Sequence, residues 1–490
     1  MERAATGVTT PWALSTPLFR FNKRDALTIG RAFEGIAIFG AIGSGKSTAS
    51  GRAIAHSFLL AGFGLLVLCA KSEEADVWEK YCRDTGRLQD FVRFRADGAF
   101  RFDPLNHELI RKGEGAGHTE NIVGLLSTLL EIADRNTGQG GGGRDDEGYW
   151  KRSLRQLLRN VVDLIVLAKG RVTVTDLYRI VVTAPTSLDQ VRSAEWRQRS
   201  FCFQCIAEAD KRSKTARQQH DFEIVADYFM LEFPGLSDKT RSVIVSTFTS
   251  MVDVLNRGLL RELFCNGTNI SPEATEEGKI IVVDIPVKEY GDVGLFAATL
   301  WKHAWEKSIE RRNVATSPRP VALWCDEAHT FLTSYDMQFQ TTCRAARAAT
   351  VLISQNLSNY YAMLGGSDKG NAVADSLLGN LNLKIFHANG DHVTGEWMAN
   401  MIGRSRQLVA SSTVSYEASD PLSNSLGIGT SHTSAGVSEV FELEVPSSAC
   451  AGFRTGGPAN RWLVDALVFA NGSCFHATGR PYLFCTFSQE

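Results

Sequence analysis

The chain has 490 residues, 44% hydrophobic and 22% charged, with a formal net charge of -2. These values exclude an intrinsically disordered chain. They also exclude a molecule drawn to nucleic acid by its overall charge, so any DNA contact must come from locally clustered cations. At this length two or three domains of ~100–200 residues each are expected.

In chain order, the opening MERAATGVTT has no apolar core, so no signal peptide is expected. The longest apolar run, residues 58–70, is broken by Gly62 and Gly64 and falls short of the ~20 residues of a membrane span. A cytoplasmic protein with reduced thiols follows as the expectation. Cys202 and Cys205 form a lone CxxC without a second ligand pair, which reads as ordinary thiols rather than zinc ligands. Short, continuously apolar runs predict buried strands at 35–39, 65–70, 91–94, 279–285, 321–326, 350–354 and 383–387. Helical patterns separate them, so the expected fold class is α/β with a mostly parallel central sheet covered on both faces.

Between 108 and 263 strand runs are scarce. Leu154, Leu157, Leu158, Val161, Val162 and Ile165 recur at helical spacing, and 221–233 and 239–255 behave likewise. An inserted all-α domain accounts for this. The expected domains are 1–107, the nucleotide-binding part with the phosphate loop; 108–270, the all-α insert; and 271–490, the remaining nucleotide-binding part. The Gly-rich stretch 137–148 predicts a mobile loop, and the Ser/Thr/Gly-rich stretch 410–438 a flexible segment before the C-terminal strands.

The run Gly40-Ala41-Ile42-Gly43-Ser44-Gly45-Lys46-Ser47-Thr48 satisfies GxxxxGK[ST] between a strand and a helical stretch. Glycines let backbone N–H groups wrap a phosphate chain, and the helix points its positive end at the same anion. Lys46 would neutralise the β- and γ-phosphates of ATP, and Ser47 would ligate Mg²⁺. The run 321–326 ends in Asp326 and Glu327. Asp326 would hold the Mg²⁺ shell, and Glu327 would deprotonate the attacking water. An acid base directly after the Mg²⁺ aspartate points to a hydrolysing motor rather than a small-molecule kinase or GTPase. Gln355 ends the next strand and would sense the γ-phosphate. Arg344, with Arg347 as substitute, would reach the γ-phosphate of a neighbouring subunit as a finger.

The motifs FGAIGSGKST, LCAKSEEADVW, RFDPLN, VVDIP, LWCDEAHTFL, CRAARAATVLISQNLSNYYAMLGG and FRTGGPANRWLVDALVF, with the helical insert, run in one order along nearly the whole chain. In this they resemble the coupling proteins of conjugative type IV secretion, within the FtsK–HerA branch of RecA-like motors. The resemblance implies a homohexameric ring with ATP at subunit interfaces and DNA in the channel. It implies relaxosome or secretion-channel proteins as further partners. Family members usually carry N-terminal transmembrane helices; none is expected here, which leaves open a separate membrane partner or a nuclease partner in another DNA task. Candidate DNA-gripping clusters are Lys151–Arg152–Arg155, Arg192–Arg197–Arg199 and Lys211–Arg212–Lys214–Arg217, each also readable as a solvated helix face. Asn356, Asn359 and Tyr360 would relay the nucleotide state toward the channel. His329 stands in a DEAH string, which suggests helicases by a four-residue match only, without the surrounding helicase motifs; His387 and His392 read as ordinary polar positions.

Overall fold

A computed structural model describes residues 12–136, 144–417, 425 and 430–490. A short hairpin, β1 (Pro17–Arg20) with β2 (Ala26–Thr28), leads into the main sheet. The sheet strands follow as β3 (Ile36–Phe39), β4 (Gly64–Leu68), β5 (Phe91–Arg95), β6 (Ile280–Asp284), β7 (Val321–Cys325), β8 (Ala348–Ser354) and β9 (Leu383–Phe386). After a second hairpin, β10 (Arg404–Glu417) with β11 (Thr430–Leu443), the chain ends in β12 (Leu463–Ala470) and β13 (Tyr482–Ser488).

The nine-stranded sheet has the order β13-β12-β9-β3-β8-β7-β4-β6-β5. All pairings from β9 to β5 are parallel, while β12 runs antiparallel to β9 and β13 to β12. Alternation along each strand sorts side chains into two apolar layers. Ile36, Ile38, Leu65 and Val67 enter one layer; Ala37, Phe39, Leu66 and Leu68 enter the other. Both faces are covered, which is why β3, β4, β7 and β8 read as unbroken apolar runs.

Between β5 and β6 every regular element among the described residues is a helix, from Pro104–Ile110 through Gly258–Phe264 to the short turn Pro272–Thr275. The stripe Leu154, Leu157, Leu158, Val161, Val162 and Ile165 is buried and belongs to the same apolar layer as Leu66 and Phe94. The helices therefore continue the sheet's core. Cys202 and Cys205 lie inside this layer, and burial pushes the Cys205 thiol up to about 12.

Two segments differ from expectation. Helix Arg144–Lys169 begins inside the Gly-rich stretch, so 144–148 is helical; 137–143 lies outside the described residues. Propagating an already nucleated helix adds one hydrogen bond per residue ordered, which extends the packed stripe backwards. Within 410–438, expected to be flexible, β10 and β11 instead pair antiparallel from Arg404↔Leu443 to Glu417↔Thr430. Thr, Val and Tyr favour extended backbone, and cross-strand pairing outweighs the Ser-rich composition. Residues 418–424 and 426–429 lie outside the described residues. Among the described residues no single helix is long and apolar enough to cross a membrane.

Candidate nucleotide site

β3 sits between β8 and β9, and the chain leaves β3 and β8 toward opposite sides of the sheet. That reversal opens a crevice beyond the carboxyl ends of the two strands. The phosphate loop is pinned there at both neighbouring strand ends. Gly40 N–H donates to Gln355 O at 3.2 Å, and Ala41 N–H to Ala388 O at 2.8 Å. A Cβ at Gly40 would stand 2.4 Å from Ser44 Oγ, so only glycine fits without moving the loop. Gly45 holds φ +83°, and a Cβ there would meet Val464 Cγ2 at 2.6 Å. Among the described residues the N–H groups of Gly43, Gly45 and Lys46 make no backbone hydrogen bond. They crown the turn Ser47–Gly51, which runs into helix Arg52–Leu60. The turn is a π-bulge: Gly51 N–H donates to Lys46 O at 2.9 Å, five residues back. Unpaired N–H groups at a helix head form a cradle for an anion.

The second half of the site comes from β7. Ser47 Oγ donates to Asp326 Oδ2 at 2.6 Å. Two hard oxygen donors side by side fit Mg²⁺, which takes one or two protein oxygens and completes its shell with phosphate and water. Glu327 follows in the left-handed region, φ 49° and ψ 44°, uncommon for a non-glycine residue and frequent where a site demands it. It is only 6% exposed. Its Oε1 accepts from Lys71 Nζ at 3.0 Å and from Gln355 Nε2 at 3.4 Å, while Oε2 is buried without a hydrogen-bond partner. Burial pushes the carboxyl's pKa up, but the Lys71 hydrogen bond and charge, then Lys46, hold it below the ordinary glutamate value. Nearby Glu74 is pushed up to about 8 by burial and then by the charge of Asp326.

The turn carrying Glu327 is anchored from behind. Lys302, 2% exposed, donates to Asp336 Oδ2 at 2.7 Å and to Phe331 O. His329 Nδ1 lies 3.1 Å from Ser354 Oγ, linking the turn to the end of β8.

Arg344 stands apart. It precedes β8, whose seven residues carry the chain about 23 Å to the edge bearing Gln355. Its side chain is 71% exposed and lies 3.5 Å from Glu34 Oε1. The turn it occupies is held by Arg312, which donates to Ala346 O at 2.7 Å and Arg347 O at 3.1 Å. Arg347 itself donates to Pro318 O at 3.1 Å.

Three contributors escaped the sequence reading. Lys71 ends the β4 connection, a place where polar residues of parallel sheets gather, and that position was the available signal. His387, read as an ordinary polar residue, is fully buried: its Nε2 lies 2.7 Å from Ser50 Oγ and its Nδ1 3.0 Å from Asp465 O. Burial pushes its pKa down to about 4, so it joins the phosphate-loop turn to β12 as a neutral ring. Gln489 donates from Nε2 to Thr48 Oγ1 at 2.7 Å and accepts from Gly457 N–H at 2.8 Å; nothing local in the sequence announces it. Tyr360 is fully buried, so it cannot touch a channel ligand directly. Arg155 and Arg199 form ion pairs with Glu120 and Glu195 at 3.0 and 2.9 Å, and Lys214 donates to the carbonyls of Asp210 and Arg212.

Lys71→Met gives a testable consequence. Lys71 lowers the Glu327 pKa, so its loss raises that pKa and moves the acid limb of the kcat/KM profile for ATP toward higher pH. A pH profile unchanged from the parent would dissociate Lys71 from the ionisation of Glu327.

No protein-family model matches the chain, and no curated protein matches it either. Solved structures do. The bacterial conjugative coupling protein TrwBΔN70, unbound monoclinic form, superposes with a TM-score of 0.62 at 14% identity, covering 98% of this chain and 91% of that one. TrwB in complex with the non-hydrolysable ATP analogue ADPNP gives a TM-score of 0.58 at 15% identity, covering 95% and 87%. TrwB with ADP and Mg²⁺ gives 0.58 at 14% identity, covering 95% and 88%. The chain thus has the fold of these proteins, a RecA-like P-loop sheet with added helices, over nearly its whole length.

Proposed function

We propose that the chain is a Mg²⁺-dependent ATPase of the coupling-protein kind, a homohexameric ring that uses hydrolysis to move DNA through a central channel. The observation that carries this reading is the Ser47–Asp326 contact of 2.6 Å set beside Glu327 and Gln355 at the strand-order reversal. The TrwB complexes with ADPNP and with ADP and Mg²⁺ support nucleotide and metal in a fold of this shape.

In this reading the N–H groups of Gly43, Gly45 and Lys46 hold the phosphate chain, and the Lys46 ammonium meets its charge. Ser47 and Asp326 would hold Mg²⁺, which when bound would supply charge neutralisation to the phosphate chain. Glu327 takes the proton of the attacking water on Oε2, the oxygen without a partner. Gln355 touches Oε1 of the same carboxylate, so it registers the base and the γ-phosphate together. Arg344 lies on the edge away from its own phosphate loop and is exposed, as a finger serving the next subunit requires.

The deciding experiment is steady-state ATPase activity with and without single- and double-stranded DNA, at low and moderate salt, with Glu327→Gln as blank. Strong, salt-sensitive stimulation supports the DNA motor, because phosphate contacts release counterions. Activity indifferent to every DNA turns the assignment to a protein-translocating ATPase. Co-purification of a nuclease places the motor in a HerA-like repair or defence complex.

A further inference from the structure

We propose that the β10–β11 hairpin is a self-assembly element, pairing edge to edge with the same hairpin of a neighbouring copy. Each strand has 14 residues and the two pair only with each other. Such a ribbon is roughly 46 Å long, and a lone two-stranded hairpin is marginal in water. Among the described residues neither outer edge of the ribbon pairs with a further strand. Proteins usually blunt such edges with Lys, Pro or inward charges. Here residues 407–416 and 430–438 contain no Asp, Glu, Lys, Arg or Pro.

The register puts most of the large apolar residues on one face. Leu408, Val414, Val437 and Phe441 lie there, 72%, 55%, 70% and 61% exposed, with Arg404, Arg406 and Glu439 at its base, while the other face carries Val409 and Val440 among Gln407, Ser411, Thr413, Ser434 and Ser438. An uncovered stripe of this kind marks an interaction surface.

Charge at the hairpin base identifies the occupant as a second copy. β10 begins with Arg404 and Arg406, and β11 ends with Glu439 and Glu442. All four are exposed, and among the described residues none forms an ion pair. When two copies stand side by side with hairpins pointing the same way, β11 of one adjoins β10 of the next in antiparallel fashion. The acidic base of one strand then meets the basic base of its neighbour. Pairing β10 with β10 in that arrangement would set arginine against arginine. The contact is therefore head-to-tail, the type that closes into a ring.

The test is sedimentation velocity of the full chain across a concentration and salt series, with nucleotide affinity measured in parallel. Arg406→Glu and Glu439→Arg should each weaken self-association at least roughly tenfold, and the double exchange should restore most of it, with nucleotide affinity unchanged throughout. Val437→Asp should also weaken assembly. Single reversals that assemble like the parent, or a double exchange that fails to recover assembly, overturn the proposal. Because assembly is read without hydrolysis, it can fail while the ATPase assignment stands, and the reverse.

Discussion

Glu327→Gln is expected to lower kcat by about 10²–10⁴-fold, the range for removing a general base, while ATP and Mg²⁺ still bind. The amide keeps the shape of the carboxylate but cannot accept the water proton. It should also weaken the tie to Lys71 Nζ, now 3.0 Å from Oε1, so Lys71 becomes free to approach phosphate. Nucleotide affinity is therefore expected to stay level or rise. Single-turnover hydrolysis and a fluorescent-nucleotide titration on the same preparation separate the two effects. Normal hydrolysis by Glu327→Gln would remove Glu327 from the chemistry and leave its left-handed backbone and missing Oε2 partner without a purpose.

Arg344→Ala should leave nucleotide binding intact and lower kcat by about 10³–10⁵-fold if Arg344 is an arginine finger. Its place on the far edge of the sheet makes an action on its own phosphate loop geometrically impossible within one subunit. The strongest check combines two inactive proteins. Mixed Arg344→Ala and Glu327→Gln subunits should regain activity, because some interfaces then join an intact Glu327 to an intact Arg344. Absence of any recovery in demonstrably mixed rings would sink the trans assignment. Arg344→Lys should rescue poorly, since an ammonium lacks the planar fork that spans phosphate oxygens. Arg312→Ala offers a companion measurement. It frees the turn from Ala346 O and Arg347 O, so kcat should fall with little change in KM.

Much of this was legible in consecutive residues. The buried strands stand where continuous apolar runs placed them, because a strand covered on both faces must be apolar at every position. The phosphate loop could be read because glycine spacing, a strand before and a helix after are all local demands of wrapping an anion. The acid pair at the end of β7 could be read for the same reason. The helical stretch between β5 and β6 announced itself through its period of apolar residues. Composition misled at β10 and β11, where frequent Ser and Gly read as a flexible segment although the two strands pair over 14 residues each.

What only the tertiary structure decided are the contacts whose partners lie far apart in the chain. Lys71 reaches Glu327 across 256 positions, and Gln489 reaches Thr48 across 441. Both depend on strand order: β4 beside β7, and β12 and β13 added to the β9 edge. Periodicity reports which face of an element is buried, but says nothing about which element lies beside it. That choice belongs to the packing of the whole sheet, where loop closure and the fit of two apolar layers select one order. The same packing set Arg344 on the edge opposite the Gly40–Thr48 loop, so the sequence determined the parts of the candidate site, and the packed sheet decided which of them meet within one chain.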